Sequence, residues 1–420
     1  MRYLLILFLI LAFVVGCGCS NNPMVPPAYG YFGDAKDVWP ALYGTANGAV
    51  DNGIFITYDQ NTAAWSAPNT VDTDLLPLQW TPQRNSIGWT TAGRYNASFI
   101  EATGNDLEIW ERPVGAPGDG WQDDAGAWGL LDSDATYDFL ETDVETRQNW
   151  VWSMSRSNVS YYVYAINLVA VGPTLTFVLI NTLTDPSYYS IVLDNNLYGV
   201  VHQAFVYDGG LRYHGYIIDE ATSTGEAIDA DNTYPQIIVD GEERLWIFTT
   251  QNNTLLKWTK PATPISGTWG GNVTVVYTAV ILTDDYHATW MAMDDTIHVV
   301  LVDEDSVNPN ATHLVYMRRT ANGWVEQEIL LTVDSQVMGD DDHLAWPQIT
   351  VDKLGNIFVY YIFLDTFIAA GGDLQGWYLD SAVYGNPIAA SWVQHVNIDQ
   401  SADLVKWVVA PDSIPISADM

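Results

Sequence analysis

Apolar positions recur along this chain as short gapped runs separated by polar turns. Residues 234–251 read "YPQIIVDGEERLWIFTTQ", and residues 346–363 read "WPQITVDKLGNIFVYYIF". Each stretch opens on an aromatic and a proline, continues through an apolar run to an aspartate-led turn, and ends in a second apolar run. Runs of this length, bounded by Asp, Asn and Gly, predict β-hairpins, because a strand alternates its faces and those residues suit turns. The same pattern predicts hairpins at 39–59, 96–113, 137–155, 188–203 and 289–305. Helical periodicity of useful length is absent after the first sixteen residues.

The hairpins are units of a repeat. The central apolar positions of their first strands are Leu42, Phe99, Phe139, Ile191, Ile237, Met291 and Ile349. Intervals between them run from 40 residues (Phe99 to Phe139) to 58 (Met291 to Ile349), the length of one four-stranded unit. A second signal recurs within the units: "NTAAWSAPNTV" (61–71), "SGTWGGNVTVV" (266–276), "NGWVEQEILL" (322–331) and "ASWVQHVNI" (390–398). Each sets a tryptophan after a small or polar turn and before a strand, as if anchoring an outer hairpin. Repetition at this period in a chain rich in Trp, Tyr and Val predicts an all-β fold, a β-propeller of four-stranded blades. Seven blades is the best count; six or eight stay open, and residues 401–420 are a candidate closing strand.

The N-terminus does not belong to the repeat. "MRYLLILFLILAFVVG" has one early basic residue and then an unbroken apolar run, too short for a convincing membrane span. Val14-Val15-Gly16-Cys17 resembles the lipobox of prokaryotic lipoproteins, which makes Cys17 the lipidation site. The expected layout is a signal peptide at 1–16, a lipidated linker at 17–32 and one propeller domain at 33–420. That layout implies an exported lipoprotein facing the cell surface or the periplasm, held to the membrane by its lipid alone. The only two cysteines are Cys17 and Cys19, so neither a disulfide framework nor a zinc–thiolate site can hold the body together. Stability must come from a large core, which the 48% hydrophobic content and 18 tryptophans allow.

Charge narrows the partners. Against 15 Lys and Arg stand 51 Asp and Glu, a net charge of −36. Such a chain repels nucleic acid and anionic lipid headgroups. It suits cations, calcium above all, although aspartate is also ordinary turn chemistry.

"YDQNTAAWSAPNTV" (58–71) and "RRTANGWVEQEI" (318–329) resemble weakened Asp-box hairpins. On these the chain is similar to the sialidase-like, or bacterial-neuraminidase-repeat, class of β-propellers. The resemblance implies architecture more than activity. Sialidases grip the substrate carboxylate with three arginines, the first in an Arg-Ile-Pro motif, and here Val38-Trp39-Pro40 stands in its place. Valine cannot replace a bidentate guanidinium, so sialidase activity is not expected. No nucleophile elbow, zinc-protease motif or phosphate-binding loop is present either.

The candidate chemistry lies in the loops that lead into first strands: "GDAKDVWP" (33–40), "DADNTYP" (229–235), "TDDYHATW" (283–290) and "GDDDHLAWP" (339–347). In a propeller these loops converge on one channel mouth. Trp39, Tyr234, His287, His343 and Trp346 are the candidate ligand-binding residues there. Asp284, Asp285, Asp340, Asp341 and Asp342 are the candidate ligands for Ca2+. The alternative is that the acids only cap turns and the aromatics staple neighbouring blades. The resulting expectation is a surface-anchored binding or interaction module for a carbohydrate, a cationic ligand or a surface protein. A carbohydrate-active hydrolase or lyase on the same scaffold is the rival, and a structural surface component is a third reading.

Overall fold

The computed structural model describes strands and turns between residues 38 and 414. Residues 1–37, 415–420 and many connections, among them 76–85, 114–128, 335–342 and 380–391, lie outside the described residues. Between 139 and 201 only the backbone path is described for nearly every residue. No helix occurs among the described residues.

Five sheets are built alike, each from four consecutive antiparallel strands. The first holds β5 (Ser86–Thr90), β6 (Arg94–Ile100), β7 (Leu107–Pro113) and β8 (Gly129–Asp134). Next come β9 (Phe139–Arg147), β10 (Trp150–Ser157), β11 (Ser160–Asn167) and β12 (Thr176–Asn181). A third holds β13 (Pro186–Leu193), β14 (Val200–Tyr207), β15 (Gly210–Ile217) and β16 (Thr222–Ala230). A fourth holds β17 (Thr233–Val239), β18 (Arg244–Gln251), β19 (Thr254–Pro261) and β20 (Thr274–Thr278). The fifth holds β21 (Leu282–Met291), β22 (Ile297–Glu304), β23 (Ala311–Thr320) and β24 (Gly323–Asp334).

The remaining strands join the two ends of the chain in one ten-stranded sheet. From the N-terminal side come β1 (Val38–Asn47), β2 (Val50–Asp59), β3 (Ala64–Trp65) and β4 (Asn69–Leu75). From the C-terminal side come β25 (His343–Asp352), β26 (Ile357–Leu364), β27 (Gly372–Leu379), β28 (Val393–His395), β29 (Val405–Val409) and β30 (Ser413–Ile414). The first strands pack in series: β5 on β9, β9 on β13, β13 on β17, β17 on β21, β21 on β25 and β25 on β29. Consecutive four-stranded sheets stacked through their first strands are an arrangement of β-propeller type.

The two similar sequence stretches fold identically. Gln236, Ile237, Ile238 and Val239 pair with Phe248, Ile247, Trp246 and Leu245. Gln348, Ile349, Thr350 and Val351 pair in the same register with Tyr360, Val359, Phe358 and Ile357. In both, the aromatic-proline pair falls where the register slips, between Thr233 and Gln236 and between Ala345 and Gln348. Proline has no N–H for a ladder, so a bulge is where a strand tolerates it. The dipeptide therefore builds the bend in a first strand. Ile191, Ile237, Met291 and Ile349 do occupy first strands, in β13, β17, β21 and β25. Leu42 and Phe99 do not. They lie in β1 and β6, each with an earlier sheet neighbour, β29 and the short β5, which apolar counting passes over.

The core is a set of seams between successive sheets. Ile238, Trp246 and Phe248 meet Ile297, Val299, Leu301, Val315 and Met317 in one of them. Being sandwiched on both faces explains why β26, "IFVYYIFL", is apolar throughout instead of alternating. The tryptophans after polar turns cross these seams. Trp269 meets Tyr213 edge-on at 5.2 Å, and Trp392 meets Tyr316 the same way at 5.1 Å. Each tyrosine hydroxyl in turn bonds a buried histidine Nδ1, His202 at 2.7 Å and His298 at 2.8 Å. Trp65 sets its edge against Phe358 at 5.8 Å. Trp269 and Trp392 thus anchor one sheet to the next and not only their own hairpin, while Trp65 ties the two ends of the ten-stranded sheet together.

β29 pairs antiparallel with β1, Leu42 to Val409 and Gly44 to Trp407. Trp407 is fully buried, and a Cβ built on Gly44 would sit inside its indole ring. Beside it, Lys406 Nζ donates to the fully buried Asp51 Oδ1 at 3.0 Å. Gly44→Ala should therefore overpack this joint and lower stability by about 1–3 kcal/mol, read from the urea midpoint. A midpoint within error of wild type would show that the joint is looser than drawn.

Candidate functional site

Carboxylates gather at the seam between β4 and the β6–β7 hairpin. The two sheets touch here through a bridge between Leu75 and Glu101 and a backbone bond from Ala102 N to Asp74 O at 2.7 Å. The hairpin turn "EATGND" takes left-handed backbone at Gly104 (φ 103°) and Asn105 (φ 55°), the two residue types that adopt it most cheaply. That turn holds Glu101 opposite Asp106, with Glu101 N donating to Asp106 O at 2.9 Å. Thr103 Oγ1 donates to Asp74 Oδ2 at 2.8 Å. Asp72 Oδ1 accepts from the backbone of Thr73 at 2.6 Å and of Asp74 at 3.3 Å.

Glu108 lies deepest, 9% exposed, and accepts from Trp110 Nε1 at 2.8 Å. Burial, the charges of Asp72 and Glu101 and a side-chain hydrogen bond with Asp72 together push the Glu108 carboxyl up to about 7, against the opposing effect of Trp110. Glu101 is also raised, by burial first and then by Asp106, Asp74 and Asp72. Glu108 therefore holds its proton to near neutral pH, with Asp72 beside it. Among the described residues no three His, Cys, Asp or Glu side chains converge as a metal site.

The residues singled out from sequence fare differently. Trp39 is fully buried, 5.9 Å from the Phe358 ring and edge-on to Tyr378 at 5.7 Å, and its carbonyl accepts from Tyr360 Oη. Trp346 is 8% exposed in the same core, with φ of 53°. Both were expected to line a mouth, and both instead staple a seam, the bulge at Pro347 turning Trp346 inward. Tyr234 and His343 sit at the starts of β17 and β25, whereas Asp284, Asp285 and His287, expected in an entry loop, lie within β21; the side chains of all five lie outside the described residues. Asp340, Asp341, Asp342 and Cys17 lie outside them altogether. Sequence reading missed Asp72 and Glu108. The available signal was an acid within "LEIWERP", between buried Leu107 and Ile109 and on the same face as Trp110.

No protein-family model matches the chain, and no curated protein matches it. Solved structures do resemble it. A candidate 6-phosphogluconolactonase from Bacteroides uniformis superposes with a TM-score of 0.53 at 12% identity, covering 89% of this chain and 99% of that one. A second, from Bacteroides fragilis, gives 0.53 at 9% identity, covering 90% and 99%. A protein from Lactobacillus plantarum gives 0.50 at 11% identity, covering 89% and 99%. At these identities the likeness is one of fold, spanning nearly the whole of each neighbour.

The Glu108 carboxyl makes a pH prediction. The folded chain keeps this proton, and the unfolded chain releases it near pH 4.5. Stability should therefore fall as pH rises from about 4.5 to about 7, and level off above. Glu108→Gln keeps an acceptor for Trp110 and removes the titration. Its urea midpoint should match wild type at pH 5 and exceed it at pH 8; equal midpoints at both pH values would refute the shift.

Proposed function

We propose that the chain is a closed seven-bladed β-propeller acting as a surface-anchored binding module, with its ligand at the acidic end of the sheets. The count follows from dividing the ten-stranded sheet at the lone Gly372–Val405 pair that joins β27 to β29. One blade is then β25 to β28, and the other is β29, β1, β2 and β4. With the five four-stranded sheets that makes seven, and the β29–β1 ladder supports closure.

The observation that carries the functional reading is the crowding of Asp72, Asp74 and Asp106 around Glu101, with Glu108 beside Asp72 and Glu101. The β6–β7 turn and the exit of β4 lie at the end of a sheet where first strands begin, since strands alternate direction. In a closed ring the lead-ins of β21 and β25 share that end. Asp284 and Asp285 within β21, and Asp340, Asp341 and Asp342 ahead of β25, would add charge there, and Tyr234, His287 and His343 would add donors and ring faces. An acidic, hydroxyl-compatible end of this kind suits a cation or a carbohydrate. Calcium is the cation that an oxygen-rich ligand set favours. Trp39 and Trp346 drop out of the ligand set because they are core.

The hydrolase alternative needs two carboxyls about 5–10 Å apart, one acid and one base, across a substrate. Here the Glu108 carboxyl is buried and accepts from Trp110 Nε1 instead, which favours binding over hydrolysis at this seam.

Calorimetric melting with calcium tests the reading. At a hundredfold excess over Kd, calcium should add about 2.7 kcal/mol of stability at pH 8. Asp285→Asn with Asp341→Asn should abolish the gain while the metal-free variant still melts cooperatively. No calcium-dependent shift, or the same shift in the double variant, would sink the calcium site. Anchoring is tested separately by mass spectrometry of the mature N-terminus, which should begin at a multiply acylated Cys17. An unmodified Cys17 or another cleavage point would remove the anchor.

A further inference from the structure

One face of the β14–β15–β16 sheet carries polar groups that the fold leaves unanswered. In register, Gln203 lies across from His214, and Phe205 across from Arg212. On the other side of β15, His214 meets Gly225 and Arg212 meets Ala227. Directly paired residues share a face and successive ones alternate, so these side chains stand together while His202, Ala204 and Tyr213 stand on the reverse. The reverse face is closed by the His202–Tyr213 hydrogen bond and by Trp269. On the first face, Gln203 Nε2, Arg212 Nε and His214 Nδ1 are buried atoms without a hydrogen-bond partner. Gln203 is 1% exposed and His214 is 6% exposed. Buried polar atoms are partnered in roughly nine cases out of ten, so three orphans on one face call for a missing partner.

Space for one exists beside them. A pocket of about 200 Å³, partly open to solvent, has Tyr207, Arg212, His214 and Gly225 in its walls. Gly225 keeps it open: a Cβ there would make only ordinary contacts, 3.7 Å to His214 Cδ2 and 3.9 Å to the Tyr213 carbonyl oxygen. The Arg212 guanidinium lies 5.8 Å from the centre of the Tyr207 ring, so cation and aromatic wall form one surface. Burial pushes the His214 imidazole down to about 4, which leaves it neutral near pH 7 and Arg212 as the positive charge of the wall.

The geometry points to a binding site for a compact carboxylate carried on a six-membered ring. Its carboxylate accepts from the Arg212 guanidinium, its ring lies along Tyr207, and a ring substituent meets His214. A guanidinium matches the two oxygens of a carboxylate. The site is separate from the acidic end, and neither stands or falls with the other.

Titration calorimetry on the full chain tests it with benzoate and glucuronate against their neutral counterparts, benzamide and glucose. At least one carboxylate should bind at least tenfold more tightly than its neutral counterpart, and which one does so distinguishes an aromatic acid from a sugar acid. Gly225→Leu should fill the pocket, and Arg212→Met should remove the charge. Each should weaken binding at least tenfold with little change in melting temperature. If Gly225→Leu fails to fold, the smaller Gly225→Val serves with Arg212→Met. Binding of neither carboxylate, equal binding of the neutral compounds, or undiminished binding by the variants would overturn the assignment.

Discussion

The backbone ladder between β29 and β1 joins residues 405–409 to residues 42–45, and the ten-stranded sheet that unites the two ends of the described chain depends on it. Each of the five regular sheets completes itself from one continuous stretch of chain. The N-terminal strands cannot do so, because the neighbour of β1 comes from the far end of the sequence. With only Cys17 and Cys19 in the chain, no covalent bond can enforce that meeting. It rests on shape and charge: Trp407 lying where Gly44 has no side chain, and Lys406 reaching the buried Asp51. Removing one partner of a buried ion pair leaves a charge that water cannot reach, which makes such a joint specific as well as strong.

Much of the fold was legible because the repeat is local. The hairpin at 234–251 and its copy at 346–363 carry strand length, turn and register in one stretch of letters, and both fold in that register. The tryptophans after polar turns were legible as anchors, but what they anchor was not. Trp269 and Trp392 reach tyrosines of the preceding sheet, a long-range contact that no local pattern encodes. The displaced places of Leu42 and Phe99 have the same origin. A short, weakly apolar strand such as "SIGWT" leaves little trace in a hydrophobic count, and a strand contributed from the other end of the chain leaves none.

The acidic site shows the limit of reading residues by type. Acids are so common here that paired carboxylates lose meaning in sequence. What separates Glu108 from the rest is burial, with Trp110 on one oxygen and Asp72 beside it, and burial is a tertiary property. The lead-in aromatics mislead for the mirror-image reason. Trp39 and Trp346 have the composition of a binding wall, yet the seam between sheets needs large flat side chains just as much. Seam packing takes them first.

Because the sheet containing β1 is completed only by residues 405–409, its edge stays open throughout synthesis of everything between. An emerging chain can form the regular sheets one after another, but it must carry β1 unpaired until nearly its last residues are made. A long-range closure of this kind slows folding and exposes a strand edge meanwhile. The joint thus acts as a check on completeness: a chain cut short of β29 retains most of its hairpins and lacks the one contact that retires its exposed edge, which marks it for aggregation or proteolysis.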